Sequence, residues 1–311
     1  MALKIDDEIV KTSMTEVMMQ NIAEFNDATR GGITLSTEYF MGDAIDVSKI
    51  AEIANLVAGR DPTSDADATV KGVSSVDEHN IAIYFTTGSI EFKNVDARRY
   101  GSDADAFSRA IGVQIGIGFL NYVVNRGVMA ATAAMTSEAS IVTGNGTAAV
   151  SYELMNDALA KFGDASGSVV AWVMKGVTYH ALNKDGITNV ITDNIAGSIV
   201  RTGETPALGR TVFVTDATGL SMTAGVAVLG LTVGGVAIIE RMARQIVSDT
   251  VGGSANIKTT IQAEGEASLD IKGYTFTGGD APDDATLGAA ANWSLAATDV
   301  KSSAGVILNI L

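Results

Sequence analysis

The chain has 311 residues, with 36 Asp and Glu against 21 Lys and Arg, a formal charge of −15. That balance excludes a protein that grips nucleic acid through a basic face, and the absence of cysteine excludes disulfides, thiolate metal sites and cysteine nucleophiles. At 47% hydrophobic and 18% charged, the chain is too apolar for disorder and long enough to bury a core, and its 33 glycines point to many turns and close backbone approaches.

Asp6, Asp7 and Glu8 stand where a secretory leader would be basic and then apolar, so no signal peptide is expected. Val10, Met14, Val17, Met18, Ile22 and Phe25 follow at helical spacing up to Arg30-Gly31-Gly32. No local core is evident for this helix. Two readings stay open: docking on a neighbouring chain, or an ordinary surface helix. Val47, Ile50, Ile53, Ala54 and Val57 predict a short second helix stopped at Gly59, followed by an acidic loop, Asp61 to Asp67. Ile81, Ile83 and Phe85 alternate, then Ile90 and Phe92 after Thr87-Gly88, which reads as a β-hairpin.

The longest helical pattern begins at Asp103 and carries Phe107, Ile111, Ile115, Phe119 and Val123 towards Met135, a rod of about 50 Å. Beyond Gly144-Asn145-Gly146, helix (Tyr152 to Phe162), strand (Val169 to Met174), helix (Thr178 to Leu182) and strand (Arg210 to Thr215) predict a compact α/β unit. Ala217 to Ile239 is uncharged and long enough to span a bilayer, but five glycines punctuate it. Val226–Leu229 and Val236–Ile239 read better as two buried strands. After Arg244, Ile257 to Phe276 alternates as long antiparallel strands, and Val306 to Leu308 closes the chain as a strand.

Motifs of chemistry are missing. His79 and His180 have no ligand-spaced partner, so neither is expected to bind metal. Gly112, Gly116 and Gly118 do not fit a dinucleotide fingerprint; close helix packing explains them better. No P-loop, nucleophile elbow or zinc-protease motif occurs. Arg98-Arg99-Tyr100 is the one place where basic and aromatic residues meet, and an ion pair within or between subunits is the simplest use for it. The expectation is no catalytic, metal or cofactor-binding residue, and no cofactor.

The order of features carries more information than any motif. An amphipathic arm, a strand-rich excursion, a long helix, a compact α/β unit and long strands follow one another, and several stretches reinforce the pattern. They are Gly31-Gly32-Ile33-Thr34-Leu35 through Met41-Gly42-Asp43, Asp96 to Met135, Val170 to Met174 with Thr178 to Leu182, Leu208 to Asp216, and the tail with Pro282, Leu287-Gly288, Asn292-Trp293 and Lys301 to Val306. The whole chain resembles the major capsid proteins of tailed bacteriophages, whose Johnson or Hong Kong phage fold is shared with encapsulins and the herpesvirus capsid floor.

This resemblance implies an α+β fold with an N-arm (1–40), an E-loop excursion with a β-hairpin (41–97) and a peripheral domain with a spine helix (98–138). An axial domain (139–240), peripheral strands (241–284) and a C-terminal strand segment returning to the axial domain (285–311) complete it. It implies a non-enzymatic head protein, located in the virion and assembled in the host bacterial cytoplasm into an icosahedral shell around double-stranded DNA. Expected partners are further copies of itself in hexamers and pentamers, portal, scaffold and decoration proteins, and DNA held without sequence specificity, with no membrane. Met14, Val17, Met18, Ile22, Ile83, Phe85, Ile90, Phe92, Arg98 and Arg99 are the expected contacts between subunits. An encapsulin-like compartment for enzyme cargo is the alternative. A flagellin-like filament fits the composition too, but it wants heptad helices at both ends.

Overall fold

The structure, a computed structural model, describes residues 5–37, 46–50, 75–93, 95, 104–192, 209–252 and 256–311. Asp6 starts the first helix, α1 (Asp7–Ala28), by accepting from the backbone N–H groups of Glu8 and Ile9, two donors that a helix start leaves unsatisfied. The helix stops at Thr29. Arg30 and Gly31 then turn left-handed, with φ of 49° and 71°, and the Gly31 N–H donates back to the Asn26 carbonyl.

The remaining elements in chain order are β1 (Ile33–Ser36), β2 (Asp46–Ile50), β3 (Ser75–His79), β4 (Ile81–Thr86), β5 (Ile90–Lys93) and the long helix α2 (Ala104–Ser137). Then come β6 (Val142–Thr143), α3 (Tyr152–Ala160), β7 (Val169–Met174), α4 (Gly176–Thr192), β8 (Thr211–Val214), β9 (Ser221–Met222) and β10 (Gly225–Thr232). The last are β11 (Val236–Val251), β12 (Lys258–Ile271), β13 (Tyr274–Phe276), α5 (Asp284–Leu287), β14 (Trp293–Leu295) and β15 (Gly305–Ile310).

Two sheets organise these elements. One runs β1-β11-β12-β4, with β5 also on β12; the other runs β6-β15-β10-β7-β8, with β9 on β10. The helix pair α1 and α2 covers the first sheet, where Phe85 meets Phe119 edge-on at 4.8 Å between ring centres. The second sheet is the compact unit. Its central strands are buried almost throughout, which is why they read as unbroken apolar runs. Trp172 is fully buried there and lies against Gly230, where any side chain would collide with its ring. The uncharged stretch from Ala217 is therefore strand, turn and strand, as its glycines indicate.

Two expectations are corrected. Val47 and Ile50 lie in β2, paired antiparallel with β3, not in a helix; residues 51–59 lie outside the described residues. The segments Ile81–Thr86 and Ile90–Lys93 do not pair with each other. Both pair with β12, end to end, in one antiparallel line. The reason is local: Thr87 keeps the ladder going, its N–H donating to the Ala263 carbonyl at 2.9 Å and its hydroxyl accepting from the Ala263 N–H at 3.0 Å. The chain runs straight on where a hairpin would have reversed it.

Candidate assembly surfaces

A chain that builds a larger structure is read by which apolar surface it keeps for itself and which it leaves outside. The first helix settles part of this. It lies along α2 in the same direction, with Asp6 beside Ser108, Ser13 beside Gly112 and Met14 beside Gly116. A methyl on Gly112 would collide with the Ser13 side chain and the Val10 carbonyl, and one on Gly116 would press on the Met14 carbonyl at 3.0 Å. Two glycines four residues apart thus let the helix backbones approach closely. Gly118 has nothing within 4 Å of a Cβ, so it takes no part.

The expected contact residues divide accordingly. Met14, Met18, Ile83 and Phe85 are buried inside this chain, under α2 or between it and the sheet. For Met14 and Met18 of α1, the glycine-lined face of α2 is the partner within the chain that the sequence left open. Val17 and Ile22 are half-buried, Phe92 stacks edge-on against Phe107 at 5.2 Å, and Ile90 is exposed. Arg98 and Arg99 lie outside the described residues. Surface that the sequence did not flag includes Met19, Ile117, Val177, Val247 and Ile257, each exposed and apolar. Scattered apolar residues are ordinary on a surface, but Val177, near the start of α4, is 81% exposed.

Asn26 was also missed. Its side-chain amide donates to the Leu35 carbonyl at 2.9 Å and accepts from the Leu35 N–H at 2.8 Å. It imitates a neighbouring strand at the outer edge of β1 and blocks strand addition at that residue. An Asn three residues before a helix cap gives little signal in sequence.

Ion pairs and hydrogen bonds fasten the described parts together. Arg126 lies over the Tyr122 ring at 5.1 Å, donates to the Pro282 carbonyl and pairs with Asp284, joining α2 to α5. Lys301 donates to Asp164 at 2.6 Å, which holds the Asp164 carboxyl below its ordinary value and raises Lys301. His79 meets Asp280 at 3.1 Å. Among the described residues no three His, Asp or Glu side chains cluster as a metal site.

Comparison with known proteins fits this picture of surfaces without chemistry. A family model described as major capsid protein 13-like matches residues 2–307. No curated protein sequence matches. Among solved structures, a chain from Microbacterium phage Oxtober96 superposes with a TM-score of 0.57 at 13% identity, covering 91% of this chain and 90% of that one. The capsid of Ralstonia phage GP4 gives 0.52 at 10% identity, covering 78% and 83%. The SrpI encapsulin of Synechococcus elongatus PCC 7942 gives 0.51 at 9% identity, covering 88% and 84%. These likenesses show a shared fold, the Hong Kong phage capsid fold. The chain belongs to the major capsid protein 13-like family, and it is a structural protein of the virion that self-assembles into a capsid shell.

Proposed function

We propose that this capsid protein forms the hexamers and pentamers of an icosahedral head that encloses double-stranded DNA. It assembles in the host bacterial cytoplasm with portal, scaffold and decoration proteins. The observation that carries the reading is the family match over residues 2–307. The charge of −15 supports it: a shell holding DNA through many Lys and Arg contacts would bind it tightly, whereas an acidic shell lets DNA enter and leave. In this reading residues 1–40 are the N-arm, 41–97 the E-loop, 98–138 the peripheral domain with its spine helix and 139–240 the axial domain. Residues 241–284 return to the peripheral domain and 285–311 to the axial one. Val17, Ile22, Ile90 and Phe92 remain candidates for contacts between subunits, with Arg98 and Arg99.

The encapsulin likeness favours a second reading, a compartment for protein cargo. Nuclease treatment of purified particles separates the two. Double-stranded DNA of genome length that resists nuclease until the particle is opened is the expected result. Particles free of DNA but holding a co-purifying enzyme would overturn the head reading in favour of the compartment.

A further inference from the structure

The longest strand, β11, breaks register with β12 between Glu240 and Met242 and again between Met242 and Gln245. Before the break it is anchored. Val236–Ile239 pair with β1 on one side and β12 on the other, and Val236 and Ile238 pack against Gly127 of α2. Beyond it, Gln245–Val251 pair with β12 alone among the described residues, and Val247, Asp249 and Val251 are exposed. The break is a joint between a half of β11 held on both edges and a half that has β12 alone among the described residues, while β12 itself stays packed through Ile261 and Ala263 and is bonded to β5.

Two ion pairs lie at this joint. Glu240, Arg241 and Arg244 are each more than nine-tenths buried. Arg244 Nη2 donates to Glu240 Oε2 at 2.7 Å, and Arg241 Nη1 meets Glu266 Oε1 of β12 at 3.1 Å. Four residues of regular strand span about 13 Å, a gap that only fully extended Glu and Arg side chains could bridge, and the bulge shortens it. The bridge in turn holds the bulge. Glu240 and Arg244 line a cavity of about 30 Å³ whose other walls include Met18 and Ile22 of α1 and Leu120 and Val123 of α2. Burial raises the Glu240 carboxyl above its ordinary value, against the pull of Arg244. A buried ion pair is a costly way to fill such space, since apolar side chains of the same volume are often as stabilising. What the pair adds is a fixed geometry.

We propose that Glu240–Arg244, with Arg241–Glu266 tying the same bulge to β12, is a clamp that fixes the angle between the two halves of β11, and that this angle sets the curvature of the shell. The clamp stands on the geometry of the single chain; the curvature rests on the capsid reading. Two measurements keep them apart. Amide hydrogen exchange on the full, unassembled chain compares the native protein with E240M/R244M. Exchange at residues 240–246 is expected to rise at least tenfold in the variant while residues 123–135 of α2 keep their native rates. Equal rates at the joint would overturn the clamp. E240Q keeps the side-chain shape and a hydrogen bond but loses the charge; if the double variant does not fold, a rise of about threefold in E240Q supports the clamp, and native rates overturn it. Electron microscopy of assembled E240M/R244M or E240Q should then show a spread of particle diameters. A single native diameter, with exchange at the joint raised, would overturn the link to curvature alone and leave the clamp standing.

Discussion

From Val123 to Met135 the long helix is enclosed by its own chain. Val123, Val124, Val128 and the run from Ala130 to Met135 are all buried, and the turn at Thr218–Leu220 comes so close that Gly219 has no room for a side chain above Met129. From Asp105 to Asn121 the same helix buries only the faces that carry α1 and the sheet, leaving Arg109, Gln114, Ile117, Gly118 and Asn121 outside. The enclosed half is a core element and the open half a platform. By length and composition the helix could cross a membrane, but its second half, from Val123 to Met135, is packed largely inside the fold. Arg126, tied to Tyr122, Pro282 and Asp284, stands at the boundary.

Matched substitutions test that contrast, and urea unfolding of the unassembled chain reads them. Met135→Ala in the enclosed half should cost about 2–5 kcal/mol, through lost burial and the cavity left behind. Ile117→Ala on the open half, at a side chain 43% exposed, should stay within about 0.5 kcal/mol. Equal losses would abolish the distinction. Within the open half, Gly112→Ala forces α1 off α2 and should cost about 1–3 kcal/mol from overpacking, partly offset by helix propensity. Gly118→Ala should instead gain up to about 1 kcal/mol, because nothing obstructs it. If both substitutions stabilise, the first helix is not docked as described.

A smaller effect comes from pH. The folded chain holds the Glu240 carboxyl above its ordinary value of 4.5 because burial disfavours the charge, against the pull of its partner Arg244. Between the ordinary value and the raised folded one, the folded state binds a proton that the unfolded state releases. Stability through this group therefore rises as pH falls through the folded value, and levels off below the unfolded one. The unfolding midpoint of E240M/R244M should lack this contribution when pH 7 and pH 5 are compared; an identical pH response in both proteins would contradict it. The smallest effect is expected at the exposed Lys301–Asp164 pair. Lys301→Met should leave the midpoint within the scatter between preparations, and a clear fall would show the pair to be structural.

Local patterns were legible where the partner lies nearby in sequence or where a residue type has few other uses. The helices from Asp7 and Ala104, the buried run Val169–Met174 and the packing role of Gly112 and Gly116 all follow from spacing. Failures came where the partner is remote. Val47 and Ile50 are three apart, which fits a helix turn, but β3 lies some 25 residues on and makes them a strand. Ile81–Phe85 and Ile90–Phe92 alternate as strands should, yet their shared partner is about 180 residues away, and alternation does not name a partner. The self-docking of Met14 and Met18 was hidden for the same reason. The charged joint at Glu240 carried a signal that was not used: three charges within five residues interrupt an apolar strand, and burying them demands partners.

A major capsid protein joins copies of its own chain into a shell. Negative-stain microscopy of the chain expressed alone, with a sizing column beside it, tests that most directly. Closed shells, tubes or rings of subunits are the predicted result. A compact monomer that stays monomeric even when a candidate scaffold protein is added would contradict it.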